Sequence, residues 1–475
     1  MTKKHTYILG AAAIAVVATQ VFSQGPLTPP GAPAPTMKTL DQIEPRTALI
    51  FGGASMPGVS TGNLTAHFII SEPGSYYLTS NLKVTRTNGI RISGAEGVTL
   101  DLNGFEISRE GTPSGNGIEI SPVSAGASIF NGSIKGFSYG INSPESSGVT
   151  ASGCAFRNLS ISSCTTFGLK AGGGSVVDSC RVFKNQGERA LSVGPSSTLS
   201  NCTAKENSTW FAIFVDDGGT LKNCTAEGNN GNTSAMYAGK GSSFLNCNAS
   251  NNDTPSVIYA DSGCSLTNCS SSNNNSTFGF RILDNCSLLN CTSSSNSSGA
   301  AFFYGFQIRG GCSVVNCTAS DNFREGASER FMGRGFNVLK GGTTLERCTA
   351  SNNGGDGIGS LSQTNNKSEG FIVRNCLCIN NGRNAGITTA GIYVSFDGCR
   401  IEGNHVMGEN RGIQIDAEDS LVIKNSVQDC SVSYEIDPGN RYGQIVDLSA
   451  PAPGMLGASS GGNLQTTDPW ANFSQ

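Results

Sequence analysis

Histidine, tryptophan and charged side chains are scarce in this chain of 475 residues. It contains 3 His, 2 Trp and 14% charged residues, whereas soluble domains usually carry about 25% charged residues. So few histidines leave almost no candidates for a Ser–His–Asp triad. Because the net charge is −4, we predict no electrostatic nucleic-acid partner.

Long apolar runs are also missing, apart from one near the N-terminus. Residues 1–23 combine Lys3 and Lys4, the apolar run Ile8–Ala18 and a small-residue cleavage site at Val21–Ser23. This is the pattern of a secretory signal peptide, and its apolar run is too short to span a bilayer. We therefore predict an exported protein, secreted or held at the cell surface or in the periplasm, with no transmembrane span in its mature form.

The remainder divides into four segments by composition. We assign 24–50 to a Pro-rich linker and a short helix, 51–110 to an N-terminal cap with the first coils, 111–436 to repeats, and 437–475 to a C-terminal cap or tail. Two strand-like runs around Glu72–Gly74 predict a hairpin in the N-terminal cap.

Cysteine, in contrast, is abundant and regularly spaced. The chain has 17 Cys, and most of them fall into one series with steps of 22 or 23 residues and a few longer steps. That series is Cys180, Cys202, Cys224, Cys247, Cys269, Cys291, Cys317, Cys348, Cys376 and Cys399. A fixed period of this length predicts a solenoid.

Each repeat has the composition of strands and not of helices. Short alternating runs rich in Val, Ile, Phe, Tyr and Thr are interrupted every few residues by Gly, Asn or Ser, and no run keeps a period of 3.6. Positions eleven, nine and three residues before each cysteine are almost all apolar, so they should point inward. One repeat is therefore predicted to be three short strands and three turns, one coil of a parallel β-helix.

Asparagine forms two further columns in this alignment. One directly precedes the cysteines, and the other lies five residues after them and runs from Asn185 to Asn404. Asparagine tolerates the left-handed turn conformation, and its amide can bond to the asparagine of the next coil. We interpret both columns as structural.

We interpret most of the cysteines as buried thiols that fill the interior. Stacked Cβ atoms one strand spacing apart are slightly too distant for an undistorted disulfide. Export still permits a few bridges, with Cys154/Cys164 and Cys376/Cys378 as the irregular candidates. The regular spacing and the lack of partner histidines argue against zinc.

The stacked Asn turns and the segment 400–415 (RIEGNHVMGENRGIQI) resemble right-handed parallel β-helix repeat proteins of the pectate-lyase-like superfamily. The segment 97–108 (GVTLDLNGFEIS) and the terminal TTDPWANF resemble a group of secreted bacterial members of unassigned activity. The resemblance covers nearly the whole chain and implies an all-β, right-handed parallel β-helix. It says little about chemistry, because one fold hosts many functions.

One outward-facing column could bind a polymer. Ten residues before the cysteines, between two inward positions, the chain has three aromatic side chains followed by two polar ones. These candidate substrate-binding residues are Phe214, Tyr237, Tyr259, Arg281 and Gln307. Aromatic rings stacked along a β-helix would form a platform for sugar rings.

The resemblance also implies what a lyase site would need. Such chemistry uses a cation, usually Ca²⁺, held by carboxylates, and an Arg or Lys that removes the proton alpha to the uronate carboxyl. The candidate catalytic residues are Arg281 and Lys240. The candidate metal ligands are the turn carboxylates Asp216, Asp217, Asp261 and Asp284. A hydrolase of the polygalacturonase kind is disfavoured, because no Gly-His-Gly follows Asp216 and Asp217.

Three functions remain open at this point. The first is a non-catalytic, monomeric, exported β-helix protein that binds polysaccharide or serves at the cell surface. The second is an enzyme, a polysaccharide lyase or glycoside hydrolase that acts on acidic polysaccharide with Ca²⁺. The third is a structural spacer or adhesin in which Arg324, Arg330 and Arg334, between the later cysteines, form a partner-contact set.

Overall fold

The computed structural model describes residues 46–51, 56–61, 64–143, 152–299, 302–324, 332–361, 370–383, 388–448 and 466–475. The predicted signal peptide, almost all of the Pro-rich linker and the short helix, and Arg330 lie outside the described residues. Within the described residues there is no helix, so none that could cross a membrane.

The described residues form a parallel β-solenoid of about 16 turns, as predicted. A regular coil has three strands separated by tight turns, and each strand pairs in parallel with the equivalent strand of the next coil. The coils therefore stack into three long faces, which we call face 1, face 2 and face 3 in the order of the chain within one coil.

Face 1 carries the longest strands. They are Val59–Thr61, Ala66–Ile70, Asn88–Ile92, Asn116–Ile120, Tyr139–Asn142, Phe167–Ala171, Gln186–Val193, Ser208–Val215, Ser234–Ala238, Ser256–Ala260, Phe278–Ile282, Phe303–Ile308, Met332–Val338, Ile358–Ser360, Ala390–Val394, Arg411–Ile415 and Val432–Ile436. Among the described strands of this face, the first pairing, between Val59–Thr61 and Ala66–Ile70, is antiparallel, and the others are parallel.

Face 2 follows after a turn. Its strands are Thr47–Leu49, Ser75–Leu78, Thr99–Asp101, Ser128–Lys135, Ala155–Ser162, Val176–Asp178, Thr198–Ser200, Thr220–Lys222, Ser243–Leu245, Ser265–Thr267, Ser287–Leu289, Ser313–Val315, Thr344–Glu346, Ile372–Arg374, Arg400–Glu402, Leu421–Ile423 and Arg441–Tyr442. Two of them, Ser128–Lys135 and Ala155–Ser162, continue into face 3.

Face 3 completes each coil. Its strands are Leu82–Val84, Glu106–Arg109, Arg181–Phe183, Thr203–Lys205, Thr225–Glu227, Asn248–Ser250, Ser270–Ser272, Thr292–Ser294, Thr318–Ser320, Thr349–Ser351, Leu377–Ile379, His405–Met407, Ser426–Gln428 and Asn472–Ser474. The short strand Ile445–Asp447 pairs with the last of these.

The core runs along the axis between the three faces, and the predicted inward columns are confirmed. Leu191, Ile213 and Met236 stack in register on face 1 with no exposed surface. Further along the same column the rings of Phe280, Phe306 and Phe336 stack at 4.6 and 4.8 Å. Such stacking buries equivalent side chains against each other in successive coils, which is why the period is so regular.

The two asparagine columns have different roles. The asparagines that precede the cysteines have a left-handed backbone conformation, with φ of 55° at Asn201 and 53° at Asn223. Their side-chain amides form hydrogen bonds from coil to coil. In the other column the amides are buried, and the left-handed residue is the one before each asparagine, as at Glu206. There Asn252 donates from both N and Nδ2 to Oδ1 of Asn274, at 2.8 and 3.0 Å. Buried turn amides are satisfied in this way.

The predicted alignment is wrong in the last coils. At the corner between faces 1 and 2, Cys399 lies in the same column as Cys312 and Phe371. It does not continue the column of Cys376, because Arg400 pairs with Ile372. The position after Cys376 is taken by Asn404 instead. Spacing alone could not show this, because a long insertion and a change of residue type fall in the same coil.

The same correction shows how the buried asparagine column ends. Asn404 does not extend it, and the residue that follows Asn381 is Glu409. Its Oε1 accepts bonds from N and Nδ2 of Asn381 at 3.1 and 2.8 Å. The side chain of Glu409 is 3% exposed, so the column ends in a buried carboxyl.

All seventeen cysteines are free thiols, and sixteen of them are buried. This confirms them as interior fillers, and the irregular pairs Cys154/Cys164 and Cys376/Cys378 are not bridged. Burial raises the pKa of the Cys164 thiol to about 12, which keeps it protonated and unreactive.

Thiol labelling should therefore depend on unfolding. We expect the folded protein to react with a thiol reagent at Cys430 at most, because that side chain alone is partly exposed. In denaturant without reductant, seventeen thiols should react per chain. Fewer than seventeen in freshly purified protein would contradict the assignment, and a reducing agent should not change the count.

The ends of the solenoid depart from the predicted boundaries. Residues 47–49, which we assigned to the linker, form a face 2 strand paired with Ser75–Leu78. The runs on either side of Glu72–Gly74 lie on different faces, and the antiparallel pair that closes this end is Val59–Thr61 with Ala66–Ile70. The turn chemistry of Pro73 and Gly74 makes a coil corner here and not a hairpin.

Candidate functional site

Face 1 has two outward columns, and most side chains of the second one are buried. The first is the predicted one, and Phe214, Tyr237, Tyr259, Arg281 and Gln307 stand in register on five successive strands. With one strand spacing per coil, the column extends about 20 Å. The structure therefore brings all five candidate substrate-binding residues together.

The aromatic part of this column is held between two cations. The rings of Phe214 and Tyr237 stack at 4.8 Å with an interplanar angle of 10°, whereas the ring of Tyr259 is turned by 68° relative to Tyr237. The guanidinium of Arg189 lies 3.5 Å from the centre of the Phe214 ring, and that of Arg281 lies 5.0 Å from the centre of the Tyr259 ring. We call the column of Phe214, Tyr237, Tyr259, Arg281 and Gln307 the aromatic row.

Stacking decides which part of each ring a ligand can reach. Phe214 and Tyr237 use their faces on each other, so their solvent side consists of ring edges and the Tyr237 hydroxyl. Ring edges carry partial positive charge. Burial and nearby acidic side chains raise the pKa of Tyr237 to about 12, so its hydroxyl stays a hydrogen-bond donor.

The sequence analysis missed the second outward column of face 1. It contains the aromatic residues Phe167, Phe211, Phe278 and Tyr304. Phe211 packs edge-on against Phe214 and Tyr237, and Phe278 lies 5.3 Å from the guanidinium of Arg281. Strict alternation could not have found them, because they lie thirteen residues before a cysteine, two positions from an inward column, and would therefore be predicted to point inward.

Arg281 is the best-placed cation for an anionic ligand. Its guanidinium lies between the rings of Tyr259 and Phe278, and it forms no ion pair with any described carboxylate. Its Nε is buried without a hydrogen-bond partner. An arginine held flat by two rings keeps its other N–H groups for a carboxylate, which it can bind in a bidentate way.

The turn after face 1 holds the four candidate metal ligands. Oδ1 of Asp217 accepts from the Lys240 N–H at 2.7 Å, and Oδ1 of Asp216 accepts from the Asp217 N–H at 2.9 Å. Oδ1 of Asp261 accepts from the N–H of the next residue, and Asp284 pairs with Arg309 at 3.5 Å. Each carboxylate therefore has a partner within the turns.

These carboxylates do not form a Ca²⁺ cage. Nowhere in the described ranges do three or more His, Cys, Asp or Glu side chains converge as metal ligands would. Calcium needs six to eight oxygen ligands. The candidate bases are also apart, because the exposed Lys240 follows a strand two coils before that of Arg281. The geometry does not support a Ca²⁺-dependent lyase centre at these residues.

The two histidines outside the predicted signal do not form a site. His67 is buried on face 1, where its Nε2 accepts from the Thr85 N–H at 3.1 Å, and burial lowers its pKa. His405 begins a face 3 strand and is half-buried. Both are explained by local packing.

Further along face 1, outward positions become fully buried and charged. Arg334 and Asp356 have no exposed surface, and Nε and Nη2 of Arg334 lie 2.8 and 2.7 Å from Oδ2 of Asp356. Nη1 of Arg334 donates to Asn337 at 2.8 Å, and Oδ1 of Asp356 accepts from the Ala390 N–H at 2.8 Å. We call Arg334, Asn337 and Asp356 the buried polar centre.

Glycine makes room for this centre. A Cβ at Gly359 would lie 2.8 Å from Cζ of Arg334, so only glycine lets the guanidinium lie flat over the strand. The ring of Tyr393 lies 5.5 Å from the same guanidinium. Arg334 is therefore held from all sides, and our prediction that it belongs to a partner-contact set is wrong. Arg324 donates to the Ser298 carbonyl.

Comparison with known proteins agrees with this architecture. The family described as "Right handed beta helix region" matches residues 88–238 and 304–440, more than half of the chain. No curated protein matches the chain in sequence.

Several solved structures are similar at low sequence identity. The A-module of mannuronan C-5 epimerase AlgE4 from Azotobacter vinelandii is 14% identical over 78% of this chain and 90% of its own, with a TM-score of 0.35. Pectate lyase Pel9A is 14% identical over 72% and 70%, with a TM-score of 0.25. PfbA, a surface adhesin of Streptococcus pneumoniae, is 10% identical over 76% and 82%, with a TM-score of 0.23.

Proposed function

This chain belongs to the right-handed β-helix family, and on that premise we propose that it is a non-catalytic, exported polysaccharide-binding protein. Its binding surface is the outward side of face 1, centred on the aromatic row. The observation that carries this proposal is the unbroken register of Phe214, Tyr237 and Tyr259, continued by Arg281 and Gln307. Export, to the medium, the cell surface or the periplasm, is proposed from the signal pattern in residues 1–23.

The chemistry of the aromatic row suits an oxygen-rich, acidic polymer. Positive ring edges, the Tyr237 hydroxyl and the unpaired guanidinium of Arg281 all favour acceptor oxygens and carboxylates. The neighbouring carboxylates of Asp261 and Asp284 accept bonds and so can receive sugar hydroxyls. A uronate polymer offers both kinds of group at every ring, which favours it over a neutral glucan.

Removing two rings of the aromatic row tests this proposal. The double substitution Tyr237→Ala/Tyr259→Ala should weaken binding to a uronic-acid polymer about tenfold or more, because two hydroxyls and the ring beside Arg281 are lost. Affinity is measured by isothermal titration or on a glycan array that also carries neutral glucans. Undiminished binding of the double variant would overturn the aromatic row as the binding surface.

A matched control uses another aromatic–arginine pair. Phe183 is half-buried on face 3 with the guanidinium of Arg181 5.4 Å from its ring centre, so Phe183→Ala should leave the affinity unchanged. Incubation with the same polymers, with and without Ca²⁺, addresses catalysis. An unsaturated product that absorbs in the ultraviolet would overturn the non-catalytic part of the proposal.

A further inference from the structure

A groove lies near the C-terminal end of the solenoid, on face 2 of the last coils. It encloses about 430 Å³, which lies within the range of small-molecule sites. Arg400 and Leu421 border it on successive face 2 strands, Arg441 and Tyr442 come from the strand after them, and Trp470 comes from the C-terminal tail.

The tail is fixed in place by its backbone. The carbonyl of Trp470 accepts from the Lys424 N–H at 3.2 Å, and the Asn472 N–H donates to the Gln444 carbonyl at 2.8 Å. A Cβ at Gly443 would lie 1.9 Å from the Trp470 carbonyl oxygen, so only glycine permits this approach. The side chain of Trp470 is therefore presented from a built position and not from a loose end.

Two large aromatic side chains are exposed in this groove. Trp470 is 48% exposed and Tyr442 is 56% exposed, although the core of the solenoid is well filled. Exposed aromatic surface beside an apolar wall, here Leu421, marks a binding site more often than a packing fault. The apolar C–H face of a sugar ring packs well on such rings.

The charges around the groove favour an anion. Arg400 and Lys424 share one carboxylate, Glu402, at 2.8 and 3.4 Å. Arg441 makes no ion pair with any described residue. The carboxylate of Asp468 is engaged by the Trp470 N–H at 2.9 Å. The free guanidinium of Arg441 is thus available for a carboxylate, which it can bind as a planar fork.

We propose that this groove binds an acidic saccharide, with a uronate carboxylate on Arg441 and the sugar ring on Trp470 or Tyr442. The site uses faces and residues separate from the aromatic row, so it does not rest on the function proposed for face 1. An acidic glycan could then contact the protein at two independent places.

Tryptophan fluorescence gives a direct test, because the chain has 2 Trp, Trp210 and Trp470. In a Trp210→Phe variant, Trp470 is the sole tryptophan and reports on the groove. Trigalacturonate should change its emission in a saturable way, and Arg441→Gln in the same background should weaken the response about tenfold. The trimethyl ester of the same trisaccharide lacks the charge. It should bind the Trp210→Phe variant as weakly as trigalacturonate binds the variant that also carries Arg441→Gln.

The controls separate this site from alternatives. Arg347→Gln removes an exposed arginine elsewhere on the solenoid and should leave the response unchanged, as should Tyr237→Ala/Tyr259→Ala. The absence of a saturable response, or equal binding of acid and ester, would overturn the proposal. An equal response to triglutamate would assign the groove to acidic peptides and overturn it as well. Loss of the response in the double tyrosine variant would place the binding on face 1.

Discussion

Replacement of Asp356 by alanine should lower the free energy of unfolding by about 3–5 kcal/mol. The partner guanidinium of Arg334 has no exposed surface and makes two contacts of 2.7 and 2.8 Å with this carboxylate. Without Asp356 the buried guanidinium loses the carboxylate that it contacts in the buried polar centre. The Ala390 N–H, which donates to Oδ1 of Asp356, also loses its acceptor.

Chemical denaturation measures this loss of stability, and two further variants serve as comparisons. Asp321→Asn breaks the half-exposed ion pair with Arg383, at 3.7 Å, and should cost less than about 1 kcal/mol, because asparagine tolerates the left-handed φ of 53° at this position. The double variant Arg334→Met/Asp356→Ala removes both charges and should recover much of the loss. Equal destabilisation by Asp356→Ala and Asp321→Asn would contradict the assigned role of the buried pair.

Coils contact only their neighbours, so the transition need not be all-or-none. Solenoids can open from one end or in segments. Amide exchange at Gly335 and Ala390, whose N–H groups bond to the Asp356 backbone and side chain, reports on this region alone. We expect faster exchange there in Asp356→Ala than in Asp321→Asn.

The stability of the protein should fall as the pH rises from about 4.5 to 7, because of Glu409. Burial, the largest cause, raises the pKa of this carboxyl to about 7 from its usual 4.5, with a smaller contribution from Asp356. Below pH 4.5 the Glu409 carboxyl is neutral in both the folded and the unfolded state, and its burial does not lower the free energy of unfolding. Above 7 it is charged in both states, and burial of that charge costs about 3 kcal/mol.

The substitution Glu409→Gln removes this dependence and keeps the acceptor that Asn381 needs. At pH 8 the variant should be more stable than the natural protein by about 3 kcal/mol, and at pH 4.5 the two should be equal. Unfolding midpoints across this range measure the difference. Of the other groups around Glu409, Cys378 and Cys430 have their pKa raised by burial and stay neutral throughout.

A half-buried glutamate on face 2, Glu346, serves as the control for this pH profile. The hydrogen bond from Arg374 lowers the pKa of Glu346. The contribution of Glu346 to the free energy of unfolding therefore changes with pH only below about 4.5. Glu346→Gln should therefore leave the slope between pH 5 and 8 as it is in the natural protein. A profile of Glu409→Gln parallel to that of the natural protein would show that Glu409 is not the source.

Glu409 also illustrates where sequence reasoning failed. The alignment on cysteine predicted Asn404 at the position that Glu409 takes, because the last step of 23 residues matched the regular period. In the structure Cys399 belongs to the column of Cys312 and Phe371 at the corner between faces 1 and 2, and an insertion between the strands restores the spacing by coincidence. Only the pairing of strands distinguishes the two registers.

The repeating residues alone determined the three-stranded coil, the inward columns and the register of Phe214, Tyr237 and Tyr259. Stacked coils put equal positions on top of each other, so one-dimensional spacing is enough to place them. The buried thiols followed for the same reason.

The tertiary structure decided everything that depends on contact across coils or between distant segments. It showed that the rings of Phe214 and Tyr237 stack face to face, that Arg334 is buried against Asp356 on an outward column, and that the tail returns to place Trp470 beside Arg441. Spacing gives the position of a side chain along the solenoid. Its orientation and burial depend on inserted segments and end caps, which break the repeat and therefore leave no periodic signal.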